Sequence, residues 1–275
     1  MIPETRDRGA GGVRGVFESS TELITYRYMG CSSVLVDRHH AQGRMSIRRD
    51  MRLPGGALLT APIAIAMLDT AGINIDPYYH AACTHIDVHL WDPGRDVHEL
   101  QILGTVRREA RTAVFTEALF VDAAQPERVL GAGTVGWSVI GAVPPGFAYR
   151  DPGPGLPDSA DLPALAAGFG AEEVGDGRFR LGGLTGLVGS EVLHHGPILV
   201  MSEAAATASL HARDQSADSW ISTASLRLVR AGKNGPFEVT PESLGGPTLP
   251  AVATRMVDVD AGRIEIATGL FRFSS

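Results

Sequence analysis

The sequence has little cysteine, almost no lysine and few aromatic residues. Its two cysteines, Cys31 and Cys83, exclude a disulfide framework, and they lack the paired spacing of a zinc site. We therefore expect both to be small apolar side chains of the interior in a reducing compartment. Lys233 is the only lysine, a bias that is typical of GC-rich bacterial genomes.

The sequence also lacks a long apolar run. No segment approaches the roughly 20 apolar residues that a membrane-spanning helix needs. The charged start, with Arg6, Asp7 and Arg8, is not that of a secretion signal. The net charge of −7 disfavours nucleic acid and anionic membranes as partners. We expect a cytoplasmic protein that binds neither.

What the sequence does contain is an internal repeat. Gly43 corresponds to Gly177, and Asp69 corresponds to Glu203, at one constant offset of 134 residues. An offset that holds from a strand through the following helix indicates a duplication. The predicted division of the chain is a first repeat at 1–143, a Pro/Gly-rich linker at 144–160 and a second repeat at 161–275.

Each copy is predicted to contain a strand, an apolar helix and four further strands. The helices, over residues 63–72 and 198–210, are too apolar to lie on the surface. Alternating apolar and polar residues predict strands at 86–90, 100–106, 113–121 and 130–137 in the first copy. Their counterparts are at 224–229, 237–240, 251–257 and 263–273, with turns at 125–127 and 260–262. This order predicts an α+β fold in which each antiparallel sheet wraps around a buried helix.

The start of each predicted helix is a potential anion site, because the amide N–H groups of the first turn carry partial positive charge. Pro62 marks the first start, since proline is tolerated only in the first turn of a helix. His194-His195-Gly196-Pro197 marks the second start. Gly55 and Gly56 precede the first helix, and we assign them to substrate binding because glycine lets a ligand approach the backbone closely.

Asp69 and Glu203 lie in the middle of these apolar helices. An ionisable side chain there is costly unless it is paired, hydrogen-bonded or facing a cleft. Each acid is seven residues beyond Pro62 or Gly196, which is almost two turns, or about 10 Å along the helix axis. If the two copies pack together, the helix start of one copy can face the acid of the other. The alternative is a buried acid bonded to a helix N-terminus or to an arginine.

These features resemble the hotdog-fold thioesterases of the phenylacetate-pathway type. Those proteins carry His-Gly-Gly at the start of the central helix and an acid about two turns later. His194-His195-Gly196-Pro197 followed by Glu203 looks like the second copy's version, and Asp69 looks like the acid of the first. Thr207 sits where related thioesterases place a supporting threonine. The resemblance implies a double hotdog and covers nearly the whole chain, twice.

The sequence departs from the family pattern at two points. The spacing from Gly196 to Glu203 is one residue short, which gives His195 the place of the family glycine and His194 that of the histidine. The first copy has Ala61-Pro62 in place of His-Gly. We therefore expect at most one complete site, built from residues of both copies.

The resemblance implies hydrolysis of an acyl-CoA thioester. Asp69 or Glu203 would act as the nucleophile or the water-activating base, and the helix start at His195-Gly196 would be the oxyanion hole. We expect no metal and no cofactor, with coenzyme A present only as part of the substrate. Further association of double-hotdog units into a homo-oligomer is also expected.

The run Arg107, Arg108 and Arg111 is assigned to the phosphates of coenzyme A. An exposed hairpin end is the alternative interpretation of the same run.

Two other functions stay open at this point. Hotdog folds also serve hydratases and dehydratases, but those carry an Asp-x-Asn-Pro-x-His segment, and neither Asn74 nor Asn234 is followed by proline here. A catalytically degenerate double hotdog that binds an acyl chain is the other alternative. The missing His-Gly of the first copy is the observation in its favour.

Overall fold

The computed structural model describes residues 23–143, 145, 155–189, 191–212, 219–246 and 250–275. Its strands are β1 Ser32–Leu35, β2 His40–Ser46, β3 His80–Leu90, β4 Glu99–Glu109, β5 Ala113–Asp122, β6 Gln125–Gly141, β7 Glu172–Glu173, β8 Phe179–Leu181, β9 Trp220–Leu228, β10 Phe237–Leu244, β11 Ala251–Asp258 and β12 Ile264–Ser274. The helices in these ranges are α1 Ile24–Met29, α2 Thr60–Gly72, α3 Leu165–Gly168 and α4 His195–His211, with a 3-10 turn at Arg49–Met51.

The twelve strands form one antiparallel sheet with a two-fold symmetric order. The order is β1-β2-β4-β5-β6-β3-β9-β12-β11-β10-β8-β7, so the second half of the sheet mirrors the first. The halves join where β3 pairs with β9, from His85 opposite Arg227 to His89 opposite Thr223. The pseudo-two-fold axis that relates the halves passes through this pairing, whose middle pair is Asp87 opposite Ser225.

One face of the sheet buries apolar side chains because the strands alternate. In β4, Leu100 and Ile102 are fully buried while the residues between them are partly exposed. Phe120 of β5 and Ile86 of β3 are also fully buried. These inward side chains pack against the helices, and this packing provides the hydrophobic stabilisation of each half.

Helices α2 and α4 lie against this buried face and contact each other. All thirteen residues of α2 are buried, so it lacks the polar face of a surface helix. Both helices begin a little earlier than predicted, at Thr60 and His195. Pro62 and Pro197 are each the third helical residue, where no intrahelical N–H bond is required.

The structure corrects two details of the predicted element order. Each copy has two strands before its helix, because the short edge strands β1 and β7 pair with β2 and β8. Residues 125–127 are not a turn but the start of β6. Gln125 already pairs with Asp122, and the turn lies at Ala123-Ala124, where the amide of Ala124 donates to Asp122 Oδ1 over 2.9 Å. The turn at 260–262 is confirmed, with Gly262 in the left-handed region.

Helix α1 was not predicted from the sequence. It precedes both the strands and the helix of the first copy, yet it contacts α2 and α4. The predicted linker at 144–160 lies largely outside the described residues, which resume at residue 155. Within the described part of the chain, no helix is long and apolar enough to cross a membrane.

The close packing of α2 on the sheet leaves no space for a side chain at Gly133. A Cβ atom at Gly133 of β6 would stand 2.5 Å from Met67 Sδ and 2.8 Å from the carbonyl oxygen of Asp87. We expect Gly133→Ala to lower the free energy of unfolding by about 1–3 kcal/mol, the usual cost of overpacking. Gly141→Ala, on the same strand with nothing within 4 Å, is the matched control. Equal urea midpoints for the two variants would contradict this packing.

Candidate active site

The acid of the second copy binds the helix start of the first. Glu203 Oε1 accepts hydrogen bonds from the amide and the hydroxyl of Thr60 over 2.7 and 2.8 Å, and Oε2 accepts from the amide of Ala61 over 2.7 Å. Glu203 is 3% exposed. Burial raises the pKa of its carboxyl, while the bonds from Ala61 and Thr60 oppose that rise. We call this arrangement the first-helix site, and its amide donors are already occupied by the protein's own carboxylate.

The start of α4 differs from the start of α2 in the acceptors that the described residues offer to its amides. Among the described residues, no acceptor bonds to the amides of His195 and Gly196, the first two residues of the helix. The N-cap residue His194 has no capping bond from its side chain. We call this region, together with Asp69, the second-helix site. Its two amides are positioned to accept an oxyanion in the way that the α2 amides hold Glu203.

The histidines of this site are neutral groups. Their rings lie 3.8 Å apart between centroids and are only partly exposed. Burial lowers the pKa of His194 to about 4, and burial together with His194 lowers the pKa of His195. The buried Nε2 atom of His195 has no hydrogen-bond partner within the described part of the chain. Near neutral pH both rings are therefore uncharged hydrogen-bonding groups beside the free amides.

Asp69 of α2 is the acid that the pseudo-two-fold axis relates to Glu203. It is 9% exposed, and it accepts a hydrogen bond from Ser33 Oγ at Oδ2 over 2.7 Å. Ser33 lies on β1 and also contacts the hydroxyl of Thr70 at 3.2 Å. Burial and the nearby Asp69 charge raise the pKa of the Cys31 thiol, which keeps that cysteine protonated.

Helix α1 brings two further side chains to the second-helix site. The Tyr26 ring lies 5.4 Å from the His194 ring, and Thr25 Oγ1 is 2.9 Å from His194 Nδ1. Burial, followed by the charges of Asp69 and Asp76, raises the pKa of the Tyr26 phenol. Tyr26 thus contacts His194 at the α4 start and lies within the electrostatic reach of Asp69 and Asp76. Sequence reasoning missed both residues because α1 lies before the first strand that was predicted in the first copy.

Asp76 is a second acid in this region, and it was also missed. The backbone continues its helical path beyond α2, since the amide of Asp76 donates to the carbonyl of Gly72 over 2.9 Å. Burial, with a smaller contribution from the charge of Asp69, raises the pKa of Asp76 to about 7. The sequence signal was available, because Asp76 follows Asp69 by seven residues, or about two helical turns.

The predicted substrate-binding residues are not brought together. Gly55 and Gly56 lie before the start of α2, where their carbonyls accept from Arg95 and Arg52. Arg107 forms an ion pair with Glu117, and Arg108 and Arg111 are exposed at the β4–β5 hairpin. This hairpin borders the far end of α2. The helix is about 20 Å long, so the two groups cannot contact the same phosphate.

Thr207 lies one turn beyond Glu203 on α4. Its buried hydroxyl has no partner among the residues that the structure describes. No group of three or more His, Cys, Asp or Glu residues in the described ranges is arranged to hold a metal ion.

Comparisons with known proteins identify the fold. No family model matches the chain, and no curated protein matches it. Among solved structures, the tesB protein of Mycobacterium avium subs paratuberculosis has a TM-score of 0.58 at 14% identity, with 88% of this chain and 94% of that chain covered. The acyl-CoA thioesterase II TesB2 of Mycobacterium marinum has a TM-score of 0.58 at 15% identity, covering 92% and 97%.

A third solved structure, the 12:0-ACP thioesterase of Umbellularia californica, has a TM-score of 0.54 at 11% identity, with 86% of this chain and 94% of that chain covered. At these identities the likeness establishes the shared fold, and the chain is accordingly a double hotdog.

The role of Glu203 in stability can be tested directly. In Glu203→Gln, one oxygen is replaced by an amide group that cannot accept, so at least one buried donor of the α2 start loses its partner. We expect a loss of about 1–3 kcal/mol in the free energy of unfolding. Glu172→Gln, at an exposed position of β7, is the control and should leave the urea midpoint unchanged. Indistinguishable midpoints would argue against the three-bond arrangement.

Asp76 predicts a pH dependence of stability. Its pKa in the folded protein, about 7, lies above the ordinary value of 3.8, so the native state binds more protons than the unfolded state between these values. The contribution of Asp76 to the free energy of unfolding is therefore complete below pH 3.8 and is lost as pH rises through 7. The melting temperature of Asp76→Asn minus that of wild type should therefore be more positive at pH 8 than at pH 4.

The exposed Asp161→Asn variant is the control for this comparison. It should show the same difference from wild type at both pH values. A pH-independent effect of Asp76→Asn would contradict the raised pKa of Asp76.

Proposed function

We propose that the protein hydrolyses an acyl-CoA thioester to a free acid and coenzyme A at the second-helix site. Two observations support this proposal. The amides of His195 and Gly196 have no acceptor among the described residues, and Asp69 holds in the first copy the place that Glu203 holds in the second. Thioester hydrolysis needs both parts, because the carbonyl oxygen becomes negative while a nucleophile must be activated.

In the proposed reaction, the thioester carbonyl oxygen accepts hydrogen bonds from the His195 and Gly196 amides. Asp69 removes a proton from a water molecule whose oxygen attacks the carbonyl carbon. The tetrahedral intermediate collapses, the C–S bond breaks, and the coenzyme A sulfur leaves as a thiolate that takes up the proton from Asp69. The α4 start stabilises the oxyanion without rearrangement, since its amides are fixed by the helix. Direct attack by Asp69 is the other possible route.

The first-helix site is not proposed as catalytic. Glu203 fills the place that the substrate oxygen would take, and both Thr60 and Ala61 are almost fully buried. The contacts of Glu203 are those of a buried acid bonded to a helix N-terminus, which was the alternative to a catalytic acid. Its proposed role is to hold the two halves together, and Thr207 is kept as a supporting residue of α4.

Several finer features of the proposal follow from the sequence. We infer that each sheet half wraps around its helix as in other hotdogs and that the repeats divide near 1–143 and 161–275. The phenylacetate-pathway type, suggested by His194-His195-Gly196, is retained as a proposal. So are a cytoplasmic location, the absence of a cofactor and further association into an oligomer. Arg108 and Arg111 are the exposed cations proposed to meet the coenzyme A phosphates.

The decisive experiment measures release of free coenzyme A from a panel of short, long and aromatic acyl-CoA esters. Asp69→Asn should lower kcat by at least about 100-fold, the usual contribution of a general base. Glu203→Gln, compared at a temperature where both variants are folded, should retain most of the wild-type kcat. If wild type hydrolyses none of the panel, the same acyl groups are offered on an acyl carrier protein.

Failure with both carriers would overturn the hydrolase proposal. Acyl-CoA binding without turnover would then favour a degenerate acyl-binding double hotdog. Hydration of crotonyl-CoA would instead identify a hydratase. Loss of activity in Glu203→Gln alone, with Asp69→Asn unaffected, would move the active site to the start of α2.

A further inference from the structure

Helix α1 stands before β1 in the first repeat, as α3 stands before β7 in the second, yet α1 packs against residues of the second repeat. The amide of Ile24 donates to the carbonyl of Leu187 over 2.7 Å, just before the segment that leads into α4. The Tyr28 ring lies 5.4 Å from the Phe169 ring of the second copy. A segment from the beginning of the chain is therefore anchored beside the start of α4 on both sides of Thr25.

Thr25 is fully buried, and its hydroxyl is directed at the second-helix site. Thr25 Oγ1 lies 2.9 Å from His194 Nδ1 and has no other recorded hydrogen bond among the described residues. Any Cβ atom at Gly196 would overlap the Thr25 side chain, including Oγ1. The glycine in the first turn of α4 thus permits the close approach of α1.

The contact fixes the imidazole of His194. Three neighbours surround the ring, namely Thr25 at Nδ1, the Tyr26 ring at 5.4 Å and the His195 ring at 3.8 Å. The hydrogen bond made by one ring nitrogen determines the tautomer of a neutral histidine, and hence what the other nitrogen presents. A hydroxyl can donate to Nδ1 or accept from it, but Thr25 Oγ1 has no other acceptor among the described residues, so its buried proton is satisfied by donating to Nδ1. The ring proton is then on Nε2, the nitrogen left for a ligand at the α4 start.

We infer that Thr25 is a positioning residue of the proposed thioesterase site. It holds His194 in one orientation and one tautomer, so that Nε2 and the free amides of α4 act on the same thioester carbonyl. This inference rests on the proposed function. It assigns a role in the site to the helix that precedes β1 of the first repeat, so α1, α2 and α4 all contribute to the active site.

The test compares Thr25→Val, which keeps the shape of the side chain but removes the hydroxyl, with Thr25→Ser, which keeps the hydroxyl. Misplacement of a site residue by a fraction of an ångström reduces turnover strongly, so we expect Thr25→Val to lower kcat by about tenfold or more. KM should change little, and Thr25→Ser should restore most of kcat. If Thr25 had a purely structural role, both variants would have lower melting temperatures, and Thr25→Val would not lower kcat selectively while KM stays unchanged.

A second measurement does not depend on activity. The ring nitrogens of His194 are observed by NMR in protein with isotope-labelled histidine, and they are assigned with a His194→Gln variant. Wild type and Thr25→Ser should show one tautomer, and Thr25→Val should show a mixture of the two. Identical His194 spectra in wild type and Thr25→Val would overturn the inference.

Failure of the Thr25 inference and failure of the hydrolase proposal give different results. If wild type releases coenzyme A and depends on Asp69, while Thr25→Val keeps both kcat and the His194 spectrum, only the role of Thr25 is lost. If no acyl thioester is hydrolysed, the hydrolase proposal fails, and the NMR comparison alone decides whether Thr25 sets the state of His194. A changed spectrum with unchanged kcat would also overturn the positioning role.

Discussion

The structure depends on the contact between the Glu203 carboxylate and the first turn of α2. A buried carboxylate is costly without donors, and the first amides of a buried helix are costly without acceptors. Each group satisfies the other, and the contact reaches from the second copy into the first. The two halves therefore have one favourable relative position at their core.

The two related sites have diverged because small local differences change what each helix start can do. Glu203 is one methylene longer than Asp69, and it lies one residue closer to the first-turn proline of its helix, Pro197 rather than Pro62. The longer side chain reaches the α2 amides and fills them. Asp69 instead bonds to Ser33, and His194 contacts Thr25. The first two α4 amides have no acceptor in the part of the chain that the structure describes.

Much of this architecture could be predicted from the sequence, because it follows from local patterns. Alternation indicated the eight long strands, the apolar runs indicated α2 and α4, and the offset between Asp69 and Glu203 indicated the duplication. The remaining features depend on contacts between distant segments. Thr25 meets His194 across 169 residues, and nothing in either local sequence signals that contact. The short edge strands β1 and β7 carry too few residues for a visible pattern.

The pairing of β3 with β9 gives the fold a freedom that an assembly of two identical chains would lack. In such an assembly every substitution appears twice. A helix start whose amides bind an acid across the interface could then bind a ligand at neither of the two equivalent sites. Because the halves here are covalently joined and unlike, selection can act on each separately. One helix start can hold the two halves together while the amides of its counterpart stay available to a ligand.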